Sequence, residues 1–282
     1  MSSELDVTVV VCTKNSIATI QTCLESILQN NPSDLYLVDA NSNDGTRDLA
    51  QRLGVRIVDG RGMGLTADRQ LGIEKSKTTF TFFIDCDHII PENYLPRMLE
   101  IIQREKYVLV QSKLAINNPV GLLNLGENAY YELIHNNPSE RIIPGIAPAV
   151  FETLKLKKGS HLEIEDGRTQ TIDDTSWASK AVRAGAKIGI EGPVVLQSHQ
   201  PGFKRYYEKF KWYGIGDGEF CSVNRRLTIG HYFHLFVRYP IVYSTRSILT
   251  GRSIAIPFLV MQGLIRGIWC ALTQIKLTLR GR

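Results

Sequence analysis

Short β-branched and aromatic runs alternate with stretches of helical spacing through the first hundred residues. Residues 6–12 (DVTVVVC) and 80–84 (FTFFI) are continuous apolar runs of strand length. Between them Ile17, Ile20, Leu24, Ile27 and Leu28 recur at three- and four-residue steps, which predicts a helix over 16–29. The same reading predicts strands at 35–38 and 55–58 and helices at 44–53 and 66–75, with Asp44 placed to cap the second helix. Strand and helix alternating four times predict a parallel, doubly wound α/β sheet. A helix near 92–104 and a strand near 108–112 continue the series, whereas 117–150 carry turn signals and little periodicity. A polar loop at 159–167, a helix over 171–184 and a last strand over 194–199, ending at His199, complete this part.

Ligands of open parallel sheets bind beyond the carboxyl ends of the strands. Thr13, Asp39, Asp85 and Asp87 all fall there. Strand alternation puts Asp85 and Asp87 on the same side of the backbone. Two carboxylates so placed repel each other and call for a cation or hydrogen-bond donors. Oxygen ligands of this kind suit Mg²⁺ or Mn²⁺ carrying a phosphorylated substrate. The structural alternative is a strand end running into the polar turn before Pro91. A second acidic pair, Asp173 and Asp174, opens the helix at 171–184, where the helix dipole also favours carboxylates as simple caps.

Composition adds a division of the chain. With 282 residues, 43% hydrophobic and 22% charged, the protein has room for one large domain and an appendage. The net charge of +5 is unevenly distributed: residues 201–282 hold thirteen lysines and arginines against three acids, and no acidic residue follows Glu219. This suggests a domain over 1–215 and a basic, apolar helical region over 216–282. Residues 255–279 are mostly apolar, with Gln262, Arg266, Thr273, Gln274 and Lys276 among the polar exceptions. On a helix Gln262, Arg266, Thr273, Lys276 and Arg280 share one stripe. An arginine in mid-segment is costly at the bilayer centre, so the stripe predicts an in-plane amphipathic anchor in preference to a transmembrane helix. Packing on the catalytic domain or a dimer seam is the structural alternative. Bases and aromatics mixed over 203–214 and 231–243 fit a lipid headgroup layer better than a nucleic acid, which is not expected as a partner. Five cysteines without a C-x-x-C pair, and no leader-like run at the start, predict a reduced, cytoplasmic setting.

Six segments in order then carry a resemblance: VTVVVCTKN (7–15), YLVDANSNDGT (36–46), GLTADRQLG (64–72), FFIDCD (82–87), DDTSWASKAVRAG (173–185) and the late His199. Together they resemble the family 2 inverting glycosyltransferases over roughly residues 5–215. The resemblance implies the Rossmann-like glycosyltransferase-A fold with a mostly parallel sheet. It also implies a nucleotide-diphosphate sugar donor, a UDP-sugar first among them, and Mn²⁺ or Mg²⁺ as cofactor. Thr13 and Asn15 would lie by the nucleotide, and Asp39 would accept hydrogen bonds from base or ribose. Arg69, oriented by Asp68, would face the diphosphate. Asp85 would touch the ribose or the metal region, Asp87 would ligate the metal, and His199 would complete its shell. Asp173 stands where the family has Glu, and Asp174 aligns with the general base that an inverting transfer needs. Trp177 would line the acceptor pocket, with core packing as its alternative.

Departures from the family pattern are Ser16 in place of a common Glu, Ala40-Asn41 after Asp39, and Arg69-Gln70 in place of Arg-Asn. No Q-x-x-R-W motif is present, which favours addition of one sugar over processive synthesis. With the basic tail, the resemblance implies a lipid-linked or polyprenyl-phosphate acceptor at the cytoplasmic membrane face. The rivals are a sugar nucleotidyltransferase, for which CTKNSIAT is not the expected Gly-rich phosphate loop, and a non-catalytic nucleotide-sugar binding protein.

Overall fold

The computed structural model describes residues 5–60, 62, 64–137, 145–159, 177, 181–182, 184–199 and 202–280. They fall into two compact units: one of residues up to Ala115 with 145–159 and 177–198, the other of 116–137 and the chain from His199 onward. The expected boundary at 215/216 falls within the second of these units. One uninterrupted helix, Phe203–Val223, crosses that point, and it is packed along its length into the second unit.

In the first unit β1 (Leu5–Thr13), β2 (Pro32–Asp39), β3 (Arg56–Asp59) and β4 (Phe80–Asp85) alternate with α1 (Ile20–Leu28), α2 (Thr46–Arg52) and α3 (Leu65–Lys75). β1 pairs in parallel with β2 and β4, and β2 with β3. Strand β1 occupies the middle of this group, so Val7, Val9, Val10 and Val11 are fully buried, which is why its run is apolar on both faces. Beyond β4 come β5 (His88–Ile89), α4 (Tyr94–Arg104), β6 (Leu109–Ile116), β7 (Ala149–Glu152), α6 (Thr153–Gly159) and β8 (Ile188–Gln197). Among the described residues the sheet has eight strands in the order β3-β2-β1-β4-β7-β6-β8-β5, with β7 antiparallel to β4 and β6, and β5 antiparallel to β8. This is the mixed, mostly parallel α/β architecture expected from the sequence. The last strand starts six residues earlier than predicted, because Gly192 (φ 101) and Pro193 interrupt the apolar pattern without ending it.

The second unit is helical. α5 (Gly121–Tyr130) runs on as a π-type turn (Tyr131–His135) where turn signals had predicted irregular chain. α7 is the long helix Phe203–Val223, and α10 is Ile256–Arg280. Between them α8 (Thr228–Phe233), a wide π-type stretch (His234–Tyr243) and α9 (Ser244–Leu249) follow one another. Pro240 lies inside that stretch, and its missing N–H fits the loosened hydrogen bonding there. α7 and α10 lie side by side and parallel: a Cβ at Gly214 would stand 2.6 Å from Arg266 O, and one at Gly218 would stand 2.6 Å from Thr273 Cβ. Only glycine allows so close an approach. Tyr206, Phe210, Phe258 and Met261 form the buried core of this bundle.

Packing here overturns the expected orientation of α10. The first part of the polar stripe does not face water: Gln262 is buried, and Arg266 Nε and Nη2 each donate to Asp217 of α7 at 2.9 Å, whereas Lys276 farther along is exposed. Gln274 accepts from Tyr232 OH at 3.0 Å. Leu264, Ile268, Leu272, Ile275 and Leu279 instead form the exposed stripe. A charged group in mid-helix is tolerated because its counter-ion is inside the bundle.

Candidate active site

Parallel register brings three of the expected site residues to one edge of the sheet. Thr13 pairs with Asp39, Cys12 with Asp85, and Asp39 with Asp59. The carboxyl ends of β2, β3 and β4 therefore each present an aspartate. Asp39 is buried and already engaged: its Oδ2 accepts from the Ser42 N–H at 2.9 Å and from Arg47 Nη1 at 3.0 Å. Arg47 also reaches Asp59 Oδ1 at 2.8 Å. Asp39 thus caps the 39–42 turn and keeps further acceptor capacity on its carboxylate. Asn15 braces two loops at this edge, its Oδ1 accepting from Asn43 N–H at 2.9 Å and its own N–H donating to Ser42 Oγ at 2.8 Å. Its φ of 52 is one that asparagine adopts more readily than most residues. Ser16 donates its N–H to Thr46 Oγ1 at 2.9 Å and lies 3.1 Å from Cys86 Sγ.

Strand β4 ends at Asp85, so alternation does not carry through to Asp87. Asp87 lies in the turn to β5, fixed by Ser198 N–H on its carbonyl at 2.8 Å and by Gln197 Nε2 on its Oδ2 at 3.3 Å. Its position is set by the end of β8, not by the strand that precedes it. Asp85 accepts from Arg69 Nη2 at 3.4 Å, with the guanidinium buried and the carboxylate half-exposed. Arg69 comes from α3, which also buries Thr66, Ala67 and Asp68 against the unit. The two carboxylates influence their neighbours: burial first, then the charge of Asp87, pushes the Cys86 thiol up to about 11. Cys23 is raised as well, by burial and then by Cys86, Asp87 and Asp85. Burial thus disfavours both thiolates, and the carboxylate oxygens of Asp85 and Asp87 are the hard donors nearby. That donor set fits Mn²⁺ or Mg²⁺, which bind through one or two carboxylates with substrate phosphates. Among the described residues no three His, Cys, Asp or Glu side chains converge as a ready metal cage.

His199 lies in the second unit. Its Nδ1 is 2.7 Å from Glu127 Oε2, and its carbonyl accepts from Asn124 Nδ2 at 3.0 Å. Glu127 also takes hydrogen bonds from Tyr206 OH at 2.6 Å, Tyr131 OH at 3.2 Å and Lys209 Nζ at 2.8 Å. Burial alone would raise this carboxyl, but Lys209 and then His199 hold it at about 2. An ionised carboxylate on Nδ1 fixes the ring and its tautomer, as carboxylates do for ligating histidines. Glu127 was not singled out from the sequence; a glutamate amid the apolar spacing of GLLNLGENAYYELI is the signal that would have found it.

The sign of its pH effect follows. The unfolded carboxyl titrates near 4.5 and the folded one near 2, so Glu127 contributes fully above about pH 4.5 and loses that contribution as pH falls toward 2. The difference is on the order of 3 kcal/mol. Acid titration of thermal stability should show this loss, and Glu127→Gln should flatten that part of the profile.

Two further expectations have separate outcomes. Asp173 and Asp174 lie outside the described residues. Trp177 is 5% exposed and meets Phe151 edge-on at a centroid distance of 5.2 Å, inside the cluster that holds Val10, Phe83 and Leu109. It is a core side chain, not the wall of an acceptor pocket, because its large apolar ring fills the layer over β7.

Comparison with known proteins agrees with this architecture. A family model described as glycosyl transferase family 2 matches residues 8–154. No curated protein matches the chain. Among solved structures, the mannosyltransferase PcManGT from Pyrobaculum calidifontis, in complex with GDP-Man and Mn²⁺, superposes with a TM-score of 0.63 at 15% identity, over 97% of this chain and 88% of that one. S. aureus TarS residues 1–349, in complex with UDP-GlcNAc, gives 0.53 at 15% identity, over 92% and 90%. A longer S. aureus TarS structure gives 0.55 at 18% identity over 83% of this chain, which spans only 46% of it. At such identities the likeness shows a shared fold. The family model spans more than half of the sequence, and the chain belongs to glycosyl transferase family 2.

Proposed function

We propose that this protein is an inverting, metal-dependent glycosyltransferase that moves a single sugar from a nucleotide-diphosphate donor to a lipid-linked acceptor at the cytoplasmic face of a membrane. The observation that carries the reading is the row of Asp39, Asp85 and buried Arg69 at the carboxyl edge of a parallel sheet, in a chain of this family. A UDP-sugar is the first donor to test. TarS with UDP-GlcNAc and PcManGT with GDP-Man bracket the nucleotide choices among proteins of this fold.

In this reading Thr13, Asn15 and Asp39 hold the nucleoside, and Asp85 lies by the ribose. Arg69 faces the diphosphate. Asp87 is the cation ligand, and the resemblance adds His199. Bound cation would neutralise the charge that develops on the leaving diphosphate. The acceptor oxygen bonds to the anomeric carbon as the bond from that carbon to the diphosphate breaks on the opposite face. When the acceptor is a hydroxyl, its proton passes to Asp174, and the resemblance adds Asp173 as a substrate-binding residue. Arg69 stabilises the departing nucleoside diphosphate by charge-assisted hydrogen bonding. The apolar, basic composition beyond Glu219 supports a membrane-associated protein and hence a polyprenyl-phosphate or other lipid-linked acceptor.

Thermal-shift measurement with UDP- and GDP-sugars, with and without Mn²⁺, tests donor and metal together. A cognate donor at a hundredfold excess over its dissociation constant should stabilise the fold by about 2.7 kcal/mol. If no nucleotide sugar raises the melting temperature with Mn²⁺ present, the donor assignment fails. Stabilisation by a donor without transfer to any of a panel of lipid and glycan acceptors would point to a binding protein.

A further inference from the structure

We infer that the exposed face of α10 is the lipid-contacting surface of the protein, lying flat in one leaflet of an anionic bilayer with Gln262 and Arg266 turned inward. The inference rests on the membrane-associated reading above and names the surface responsible. Its first support is an inverted pattern. Leu264, Ile268, Leu272, Ile275 and Leu279 are 41–67% exposed, at steps of four, four, three and four, while Gln262 is buried and Arg266 is paired with Asp217. A helix bathed in water on that side would show the opposite arrangement. Ionisable groups held inward and paired, with aliphatic side chains outward, are what a hydrocarbon-facing helix requires.

Depth follows from what lies beside α10. Its length and hydropathy would allow a span, since Ser253–Leu279 contains an 18-residue stretch of mean hydropathy 1.6. But α7 lies parallel to it in fixed register, Gly214 beside Arg266 and Gly218 beside Thr273. A spanning α10 would therefore draw Glu208, Lys211 and Glu219 of α7 toward the hydrocarbon. That is costly, whereas a helix lying in the plane immerses only its exposed stripe. The exposed stripe runs sixteen residues from Leu264 to Leu279. At ~1.5 Å per residue that is about 24 Å of apolar contact.

Charge selects the lipid. The strand of chain before α10 runs antiparallel to it, since Phe236 packs on Gly267 and Tyr232 bonds to Gln274. Exposed Arg225 and Arg226, just before α8, therefore lie toward the end of α10 that carries exposed Lys276. No acidic residue follows Glu219 to oppose an anionic surface.

The test is flotation of the full chain with vesicles of phosphatidylcholine alone or with phosphatidylglycerol. Wild-type protein should float with the anionic vesicles. Ile268→Glu combined with Leu272→Glu should lower partitioning at least tenfold without changing the melting temperature, because both side chains are exposed. Arg225→Glu with Arg226→Glu should reduce binding to the anionic vesicles and leave binding to neutral ones unchanged. The inference is overturned if wild-type protein stays with the soluble fraction, or if the Ile268/Leu272 variant floats like wild type. It is equally overturned if light scattering shows a wild-type dimer that this variant dissolves while vesicle binding persists. Donor-induced thermal shifts need no vesicles, so failure of the transfer reading would appear there and not in flotation.

Discussion

Asp87→Asn is expected to lower sugar transfer about a thousandfold, the scale on which removing one group that stabilises transition-state charge acts. The substitution keeps the shape of the side chain and a partner for Gln197, so melting without ligands should stay near wild type. What should vanish is the extra stabilisation that Mn²⁺ gives a nucleotide sugar. Asp174→Asn should behave differently. Donor and Mn²⁺ should still stabilise the fold, while transfer to a hydroxyl acceptor falls by roughly 10²–10⁴. A phosphate acceptor arrives already ionised and needs no base, so the same variant should lose far less with it. Steady-state rates on a hydroxyl and a phosphate acceptor, set beside thermal shifts, separate the two carboxylates. Full transfer by Asp174→Asn on a hydroxyl acceptor would remove it as the base, and unaltered Mn²⁺ dependence in Asp87→Asn would remove the ligand.

Arg266→Leu is the second large effect. Asp217 is 1% exposed at its side chain and accepts both Arg266 hydrogen bonds, with His231 Nε2 3.1 Å from its Oδ1. Deleting one partner of a buried pair leaves an uncompensated charge and costs about 3–5 kcal/mol. Asp217→Leu combined with Arg266→Leu should recover most of that loss, since two apolar side chains suit the site about as well as the pair. Denaturant unfolding of the four proteins gives the coupling directly. Arg266→Leu as stable as wild type would mean that Asp217 is neutralised another way, His231 being the nearest group able to do so.

Much of the first unit was legible because its signals are local. The apolar run of β1, the aromatic run of β4 and the helical spacing of α1 each specify their element with little help from the rest of the chain. Asp39 and Asp85 were found at strand ends for the same reason. For Asp87 the alternation used to place it does not hold, because the turn and β8 position it. The second unit was harder to read. Its helices pair residues far apart in sequence: Glu127 with His199 and Lys209, and Asp217 with Arg266. A polar stripe on a helix gives the same pattern whether it faces water or a buried counter-ion. Only the partner decides, and for Arg266 the partner is 49 residues away.

The glycines between α7 and α10 divide the bundle into positions free to drift and positions that are not. Any side chain at Gly214 or Gly218 would meet the backbone of α10 within 2.7 Å. Leu264 and Ile275 are exposed on the outward stripe, where a different aliphatic residue finds room. If this stripe is the lipid-contacting surface inferred above, it can be retuned to membranes of different charge or packing, one residue at a time, while the glycines stay as they are. The surface that meets its surroundings can adapt without touching the seam that holds the bundle together.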